Sequence, residues 1–390
     1  MNDTARVSAR GASRWARGHP WIYRSDILEL PACRAGAVRV LDERGGLVGT
    51  ALWSPASTIS LRMLTHDDVD LGPAFWHERL EAALAYRRRL GLGEATGPSA
   101  YRLVHAEADG LPSLVVDRYG EVLVAQFLSA GLERYREEIV QALDALLRPA
   151  GVLARDDVPV REHEGLPRRV ELLRGFVPEE VEVREGAVRY LAAPWSGQKT
   201  GAFLDQRENR ERAGELSFGH ALDCFSYHGS FALQLAVRAE SVVAVDSSAE
   251  ALARAEANAR LNGFAHVRVR EGNVFDFLRD EEAAGARYDM IVLDPPAFAK
   301  RRSAVERALR GYKEINLRAL RLLAPGGTLC TFSCSYHVGR DLFSRMLQSA
   351  AADAGRTVRW IEARGQAADH PEIVQIPETG YLKGAILQAV

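Results

Sequence analysis

Two short segments carry residue types that could do chemistry together. The stretch Thr328 to Ser333 is rich in β-branched and apolar residues and follows the stop Pro325-Gly326-Gly327, so it reads as a buried strand with Cys334 near its carboxyl end. Tyr288 to Asp294 is a second apolar run, and its closing carboxylate is followed by Pro295 and Pro296. In open α/β sheets ligands bind at the carboxyl edge, so both ends are expected at one cleft. A free cysteine taken alone is usually a small buried hydrophobe. Next to a carboxylate and a proline-stiffened loop, Cys334 reads instead as a nucleophile.

The elements that must position these two residues begin near residue 188. The pattern there alternates: a strand at His220 to Phe225 and a helix from Phe231, a strand at Ser241 to Asp246 and a helix from Ala249 to Asn262. Val267 to Arg270, a helix near Val274 to Arg279 and a helix around Leu309 to Leu323 continue it. Repeated βα units predict an α/β domain with a doubly wound parallel sheet. Asp246, ending the second strand, is placed to accept both hydroxyls of a ribose. The dinucleotide fingerprint of three glycines is missing, since the first turn offers Phe225, Ser226, Tyr227 and Gly229. That argues against a pyrophosphate at the helix N-terminus and for a cofactor without phosphates, such as S-adenosylmethionine.

Upstream, residues 1–70 predict a small β-barrel, with short strands at Val38, Leu47 and Ile59 separated by glycine turns. Residues 71–187 read as an α+β middle domain, with helices from Pro73 to Leu90 and at about 132 to 148, and residues 188–390 form the last domain. The first 24 residues hold five arginines against one aspartate, and Arg17-Gly-His19-Pro-Trp21 sets aromatics beside arginine. Such a patch suits phosphate contacts and base stacking, although Trp21 closing a barrel core is the commoner fate of an aromatic.

Composition excludes several classes. The hydrophobic share of 47% and charged share of 26% suit a soluble globular protein. No apolar run is long enough to span a bilayer and the N-terminus lacks a signal-peptide core, which predicts a cytoplasmic protein with no membrane partner. The four cysteines form no Cys-x-x-Cys pair, so no metal is expected. Cys330 and Cys334, about 13 Å apart on one strand face, are too distant for a disulfide. Only four of the 50 basic residues are lysines, at 199, 300, 313 and 383. In so arginine-rich a chain, lysine is kept where a planar fork will not serve. At least two of the four, with Lys313 and Lys383 the candidates, are expected to contact an anionic group, a phosphate or a carboxylate, as compact charges.

In their order, Asp223-Cys-Phe-Ser-Tyr-His-Gly229, Val245-Asp246-Ser247, Gly272-Asn273, Asp294-Pro-Pro-Ala-Phe298 and Thr331-Phe-Ser-Cys334-Ser335 resemble the RlmI-type ribosomal RNA cytosine-5 methyltransferases. The resemblance spans nearly the whole chain. It implies a C-terminal Rossmann-like class I domain for S-adenosylmethionine, preceded by an RNA-binding PUA barrel carrying Arg17, His19 and Trp21. It also implies cofactor contacts from Lys199, Thr200, Phe203, Asp205 and Arg210, from Asp223, Phe225, Ser226, Tyr227 and Gly229, and from Asp246, Ser247, Asn273, Asp294 and Pro295. The implied partner is 23S ribosomal RNA, free or in an assembling large subunit, and nothing in the sequence speaks against a homodimer. Two positions depart from the family pattern. Asn273 stands where aspartate is common, and Ser113 replaces a common glycine.

Carbon 5 of cytosine is too weak a nucleophile to take a methyl group directly, and a thiolate added at carbon 6 turns the ring into an enamine that is reactive there. The resemblance thus assigns Cys334 as covalent nucleophile and Asp294 to the ring-nitrogen edge of an unstacked base. Two rivals stand beside it. A methyltransferase acting on a guanine or exocyclic nitrogen would tolerate loss of Cys334, and a non-catalytic RNA-binding assembly factor would not bind the cofactor.

Overall fold

The computed structural model describes residues 3–299 and 301–390 and divides the chain into two compact units. The first contains residues up to Val183 together with Ala192–Leu204 and Ala368–Thr379; the second contains Arg184–Leu191, Asp205–Ala367 and Gly380–Val390. The predicted barrel and middle domain thus fall in one unit, which residues 192–204 and 368–379 join. Residues 192–204 and 368–379 go with the first unit for a physical reason: buried hydrogen bonds tie them to its strands. Thr200 donates to Asp117 at 2.6 Å, and the Arg102 amide donates to the Asp369 carboxylate at 2.8 Å.

In the first unit a six-stranded sheet runs in the order Trp21–Ile22, Leu61–Thr65, Leu47–Trp53, Gly36–Leu41, Thr4–Val7, Ile27–Glu29. Val7, Ile22, Val38, Val40, Trp53 and Met63 make its core. The outer strands and the helix Ala9–Ala16 were not visible as periodicity, because two- to four-residue strands are too short to show one. A five-stranded sheet, Val170–Gly175, Gly151–Arg155, Val122–Phe127, Leu114–Tyr119, Ala100–His105, packs on the helices Pro73–Arg89 and Arg136–Leu147. Ser113, at the departure from the family glycine, has φ +65°, the left-handed region that glycine favours. The common glycine there is thus a matter of backbone shape.

The second unit is a seven-stranded sheet. Its strands are β1 His220–Cys224, β2 Ser241–Asp246, β3 Val267–Glu271, β4 Tyr288–Leu293, β5 Leu323–Ser333, β6 Val358–Arg364 and β7 Lys383–Ala389, in the order β3-β2-β1-β4-β5-β7-β6. The helices are α1 Arg207–Leu216, α2 Ser230–Ala236, α3 Ala249–Leu261, α4 Val274–Ala283, α5 Val305–Leu322 and α6 Arg340–Ala354. β1 to β5 pair in parallel, whereas β7 runs antiparallel between β5 and β6, so the sheet is mixed where an all-parallel one was expected. Successive strand residues enter opposite cores: Leu222, Ile291 and Leu329 pack with α5 and α6, while Ala221, Met290 and Cys330 pack with α1 and α2. Burial on both faces explains why these strands read as continuous apolar runs. Among the described residues no helix is long and apolar enough to cross a membrane.

Candidate active site

Adjacent parallel strands bring the two predicted residues to one edge. β4 and β5 pair in register Leu293↔Thr331, so Asp294 and Cys334 both lie just beyond the carboxyl ends of neighbouring strands. The Cys334 thiol is half-buried and faces the Pro295 carbonyl, with Sγ 3.8 Å from the oxygen. The next residue staples the loop after Asp294 in place. Ser335 Oγ, fully buried, accepts the Ala299 amide at 3.0 Å and shares a hydrogen bond with the Tyr312 hydroxyl at 2.9 Å. Phe298 packs on the Tyr312 ring, centroids 4.6 Å apart. Two of the other three thiols are different in kind: full burial pushes Cys224 well above the ordinary thiol value and Cys330 up to about 12. These two are packing residues.

Asp294 is oriented from a direction the sequence did not reveal. Its Oδ1 accepts from Gln206 Nε2 at 2.9 Å, Gln206 Oε1 accepts from Asn209 Nδ2 at 2.6 Å, and Asn209 Oδ1 accepts from Arg364 Nε at 2.9 Å. A guanidinium only donates, so the arginine fixes which way both amides point and leaves an N–H for the carboxylate. Gln206 and Asn209 are buried, and Asn209 also donates to the Gly365 carbonyl.

The first βα turn shows how a nucleoside cofactor would be held. Phe225, Tyr227 and Gly229 have φ of +62°, +51° and +84°. A Cβ on Gly229 would stand 2.9 Å from the Ala255 side chain, so this glycine lets α2 approach α3 and leaves the turn without the open backbone of a phosphate loop. Ser226 donates to Asp223 Oδ2 at 2.6 Å and the Ala232 amide to the same oxygen at 3.0 Å. Among the described residues Asp223 Oδ1 is buried without a partner. Burial pushes this carboxyl up to about 7, against the pull of those two hydrogen bonds. Asp246 accepts from the Tyr227 and Ser248 amides at 2.9 and 3.0 Å, which holds the turn around it. Ser247 is exposed beside it. Asn273 caps α4, its amide oxygen accepting from Phe275 at 2.9 Å. An aspartate would do the same, so the departure at Asn273 keeps the helix start. An orphaned buried carboxylate oxygen and a carboxylate at the end of β2, with no phosphate loop, fit S-adenosylmethionine.

Comparison with known proteins decides the lineage. Residues 118–385 match the model of the S-adenosylmethionine-dependent methyltransferases, and residues 5–66 that of a PUA-like domain. The ribosomal RNA large subunit methyltransferase I of Alteromonas mediterranea is 40% identical over 379 residues, 95% of each chain. That of Tolumonas auensis is 41% identical over 403 aligned positions, covering all of both chains. The chain belongs to the ribosomal RNA large subunit methyltransferase I family. It is an S-adenosylmethionine-dependent enzyme of α/β fold with an N-terminal PUA-like domain. Among solved structures, an S-adenosylmethionine-dependent methyltransferase from Streptococcus mutans superposes with a TM-score of 0.83 at 20% identity, covering 99% of both chains. A methyltransferase complexed with S-adenosylhomocysteine gives 0.85 at 20% identity and the same coverage. These two share the fold.

Several residues expected in the family's binding sites are occupied otherwise. Arg210 is buried and forks onto Glu185, Nε to Oε1 at 2.6 Å, so its charge is matched inside the unit. Asp205 is buried, its Oδ2 accepting from the Tyr381 hydroxyl at 2.7 Å. In the first unit Thr200 is fully buried and shared between Asp117 and Tyr119. Lys199 has φ +53° and lies 4.7 Å from the Phe203 ring centroid. Arg17 is exposed on the turn after the helix Ala9–Ala16, His19 meets Glu378 at 3.2 Å, and the Trp21 indole donates to Glu107 at 2.9 Å. Lys313 pairs with Asp353 at 2.6 Å, joining α5 to α6. Lys300 lies outside the described residues. Lys383, expected at an RNA surface, is 5% exposed and donates to the carbonyls of Ser335 and Tyr381 at 2.7 and 2.8 Å. That placement buries it against the backbone of the residue that follows Cys334.

Proposed function

We propose that the chain methylates carbon 5 of a cytosine in large-subunit, 23S ribosomal RNA, through a covalent bond to Cys334. The observation that carries this reading is the Cys334 thiol 3.8 Å from the carbonyl of Pro295, the residue after Asp294, at the ends of two adjacent strands. S-adenosylmethionine, when bound, supplies a methyl group activated by its sulfonium. Everything else falls to the chain. The Cys334 thiolate adds to carbon 6 of the base and raises electron density at carbon 5. Asp294, aimed by Gln206, hydrogen-bonds the ring-nitrogen edge. Pro295 and the Ser335–Ala299 bond keep the loop stiff against the base. After methyl transfer a base, water or a side chain, takes the carbon 5 proton, the C–H electron pair re-forms the carbon 5–carbon 6 double bond, and the carbon 6–sulfur bond breaks to release the Cys334 thiolate. The residues named for the cofactor are Asp223, Asp246 and the turn between Phe225 and Gly229. The base must leave its stack to be reached from both faces, so the substrate is a loop or an incompletely folded region of the RNA, free or in an assembling subunit.

The test is nucleoside mass spectrometry after incubating wild type and Cys334→Ala with ribosomal RNA and methyl-labelled cofactor. Wild type is expected to give 5-methylcytidine and the variant none. Methylation that survives in Cys334→Ala, or a labelled guanosine or adenosine, would overturn the reading and make Cys334 a packing residue.

A further inference from the structure

Lys383 is a buried charge whose hydrogen-bond partners are backbone carbonyls. It opens β7 opposite Ser333, and its ammonium is held by two carbonyls, those of Ser335 and Tyr381. Among the described residues no carboxylate joins them within ion-pair distance. Taking an ammonium out of water is costly, and two neutral carbonyls offset that only in part, so a nearby anion that is not a carboxylate would complete the site. The candidate on the page is the residue before Ser335. Resting on the reading of Cys334 as the nucleophile, we propose that Lys383 is a positioning residue whose ammonium supplies the fixed positive charge that holds Cys334 as a thiolate.

Three observations support it. First, Nζ is 2.7 Å from the carbonyl oxygen of Ser335, so the charge is fixed on the backbone of the residue that follows Cys334. Second, the choice of lysine fits the place. Two carbonyls and a confined site suit a compact ammonium with rotatable donors, where the planar fork used nearly everywhere else in this chain would not enter. Third, the lysine answers to the cysteine electrostatically. Burial pulls the ammonium down to about 8, while Cys334 pulls it back up and Arg340 pushes it further down. The attraction is reciprocal, so the ammonium favours the thiolate as much as the thiolate favours the ammonium. The other charged or titratable groups facing this region are Arg340 and Asp341 from α6, Arg364 from β6, Tyr312 from α5 and Asp294 beyond β4. In this arrangement the thiol proton is lost to solvent and the lysine keeps its own.

Cys334 is followed by the rate of iodoacetamide alkylation against pH, read by peptide mass spectrometry in the full chain without RNA. In Lys383→Gln, whose amide still donates to the carbonyls, and in Lys383→Met, the midpoint is expected to move up by about one unit, making alkylation at neutral pH roughly tenfold slower. Calorimetry with S-adenosylmethionine shows that each variant is folded. An unchanged profile in folded Lys383→Gln or Lys383→Met overturns the proposal. Wild type alone also tests it, because Cys334 must react well ahead of Cys33, and equal or slower reaction refutes it whatever the variants do. The readout needs no methyl transfer, so a failure here and a failure to form 5-methylcytidine are separate results.

Discussion

The side-chain amide of Gln206 donates to Asp294 Oδ1 at 2.9 Å, and the direction of that bond is set two residues away by Arg364. A carboxylate held this way meets its substrate without reorientation, and positioning of this kind is worth far more in rate than in stability.

Gln206→Ala is therefore expected to lower single-turnover methyl transfer roughly ten- to a hundredfold while cofactor affinity holds. Gln206→Glu keeps the shape and sets a like charge against Asp294, which raises the pH at which Asp294 ionises and moves the acid limb of the rate profile upward. An unchanged limb in Gln206→Glu with full activity would show that Asp294 does not depend on this chain of amides.

Much of this site could be read in advance, and the reason is local. Asp246, Asp294 and Cys334 each end an apolar run and are followed by turn or breaker residues, so type, order and punctuation place them at one sheet edge. The Gln206–Asp294 and Asn209–Arg364 bonds join residues 88 and 155 positions apart, and no local pattern announces such pairs. Lys383 was singled out by its rarity, but its surroundings depend on β7 running antiparallel beside β5, which a βα pattern does not specify. Arg210 and Thr200 were placed by resemblance to a motif, and their burial with Glu185 and Asp117 is set by packing.

Thr200 gives a test of stability in the first unit. Its hydroxyl donates to Asp117 Oδ2, a carboxylate that also takes the Arg102 fork, with both nitrogens at 2.8 Å. Thr200→Val keeps the volume and removes the hydrogen bond, so urea unfolding should show a loss of about 1–3 kcal/mol. A fall in cofactor affinity with stability intact would instead return Thr200 to the cofactor site.

At the N-terminal sheet two residues of one motif should behave differently. Arg17 is exposed, and Arg17→Gln should weaken RNA binding across sequences and flatten the dependence of log affinity on log salt by about 0.7–0.9. The Trp21 indole is committed to Glu107, so Trp21→Phe should cost about 1 kcal/mol of stability and leave the salt slope alone. Filter binding over a salt series separates the two, and a normal slope in Arg17→Gln would remove that residue from the RNA contact.

Asp223 should make the protein's stability depend on pH in an unusual direction. Ion-paired carboxylates are stabilised as anions, but this one is pushed from 3.8 up to about 7, by burial first and with Asp294 and Asp246 adding to it. Between those two values the folded form holds a proton that the unfolded form has lost, so stability falls as pH rises through the window and the deficit is complete above it. Asp223→Asn removes the titration. Its melting temperature relative to wild type should climb across that window and level off above about pH 7, with a gain of up to about 4 kcal/mol. Saturating S-adenosylmethionine should shrink the difference, since the orphaned Oδ1 would then face a donor from the bound cofactor. Parallel melting curves of variant and wild type at every pH would mean that the Asp223 carboxyl ionises as it does in the unfolded chain, and that the turn from Phe225 to Gly229 is held without it.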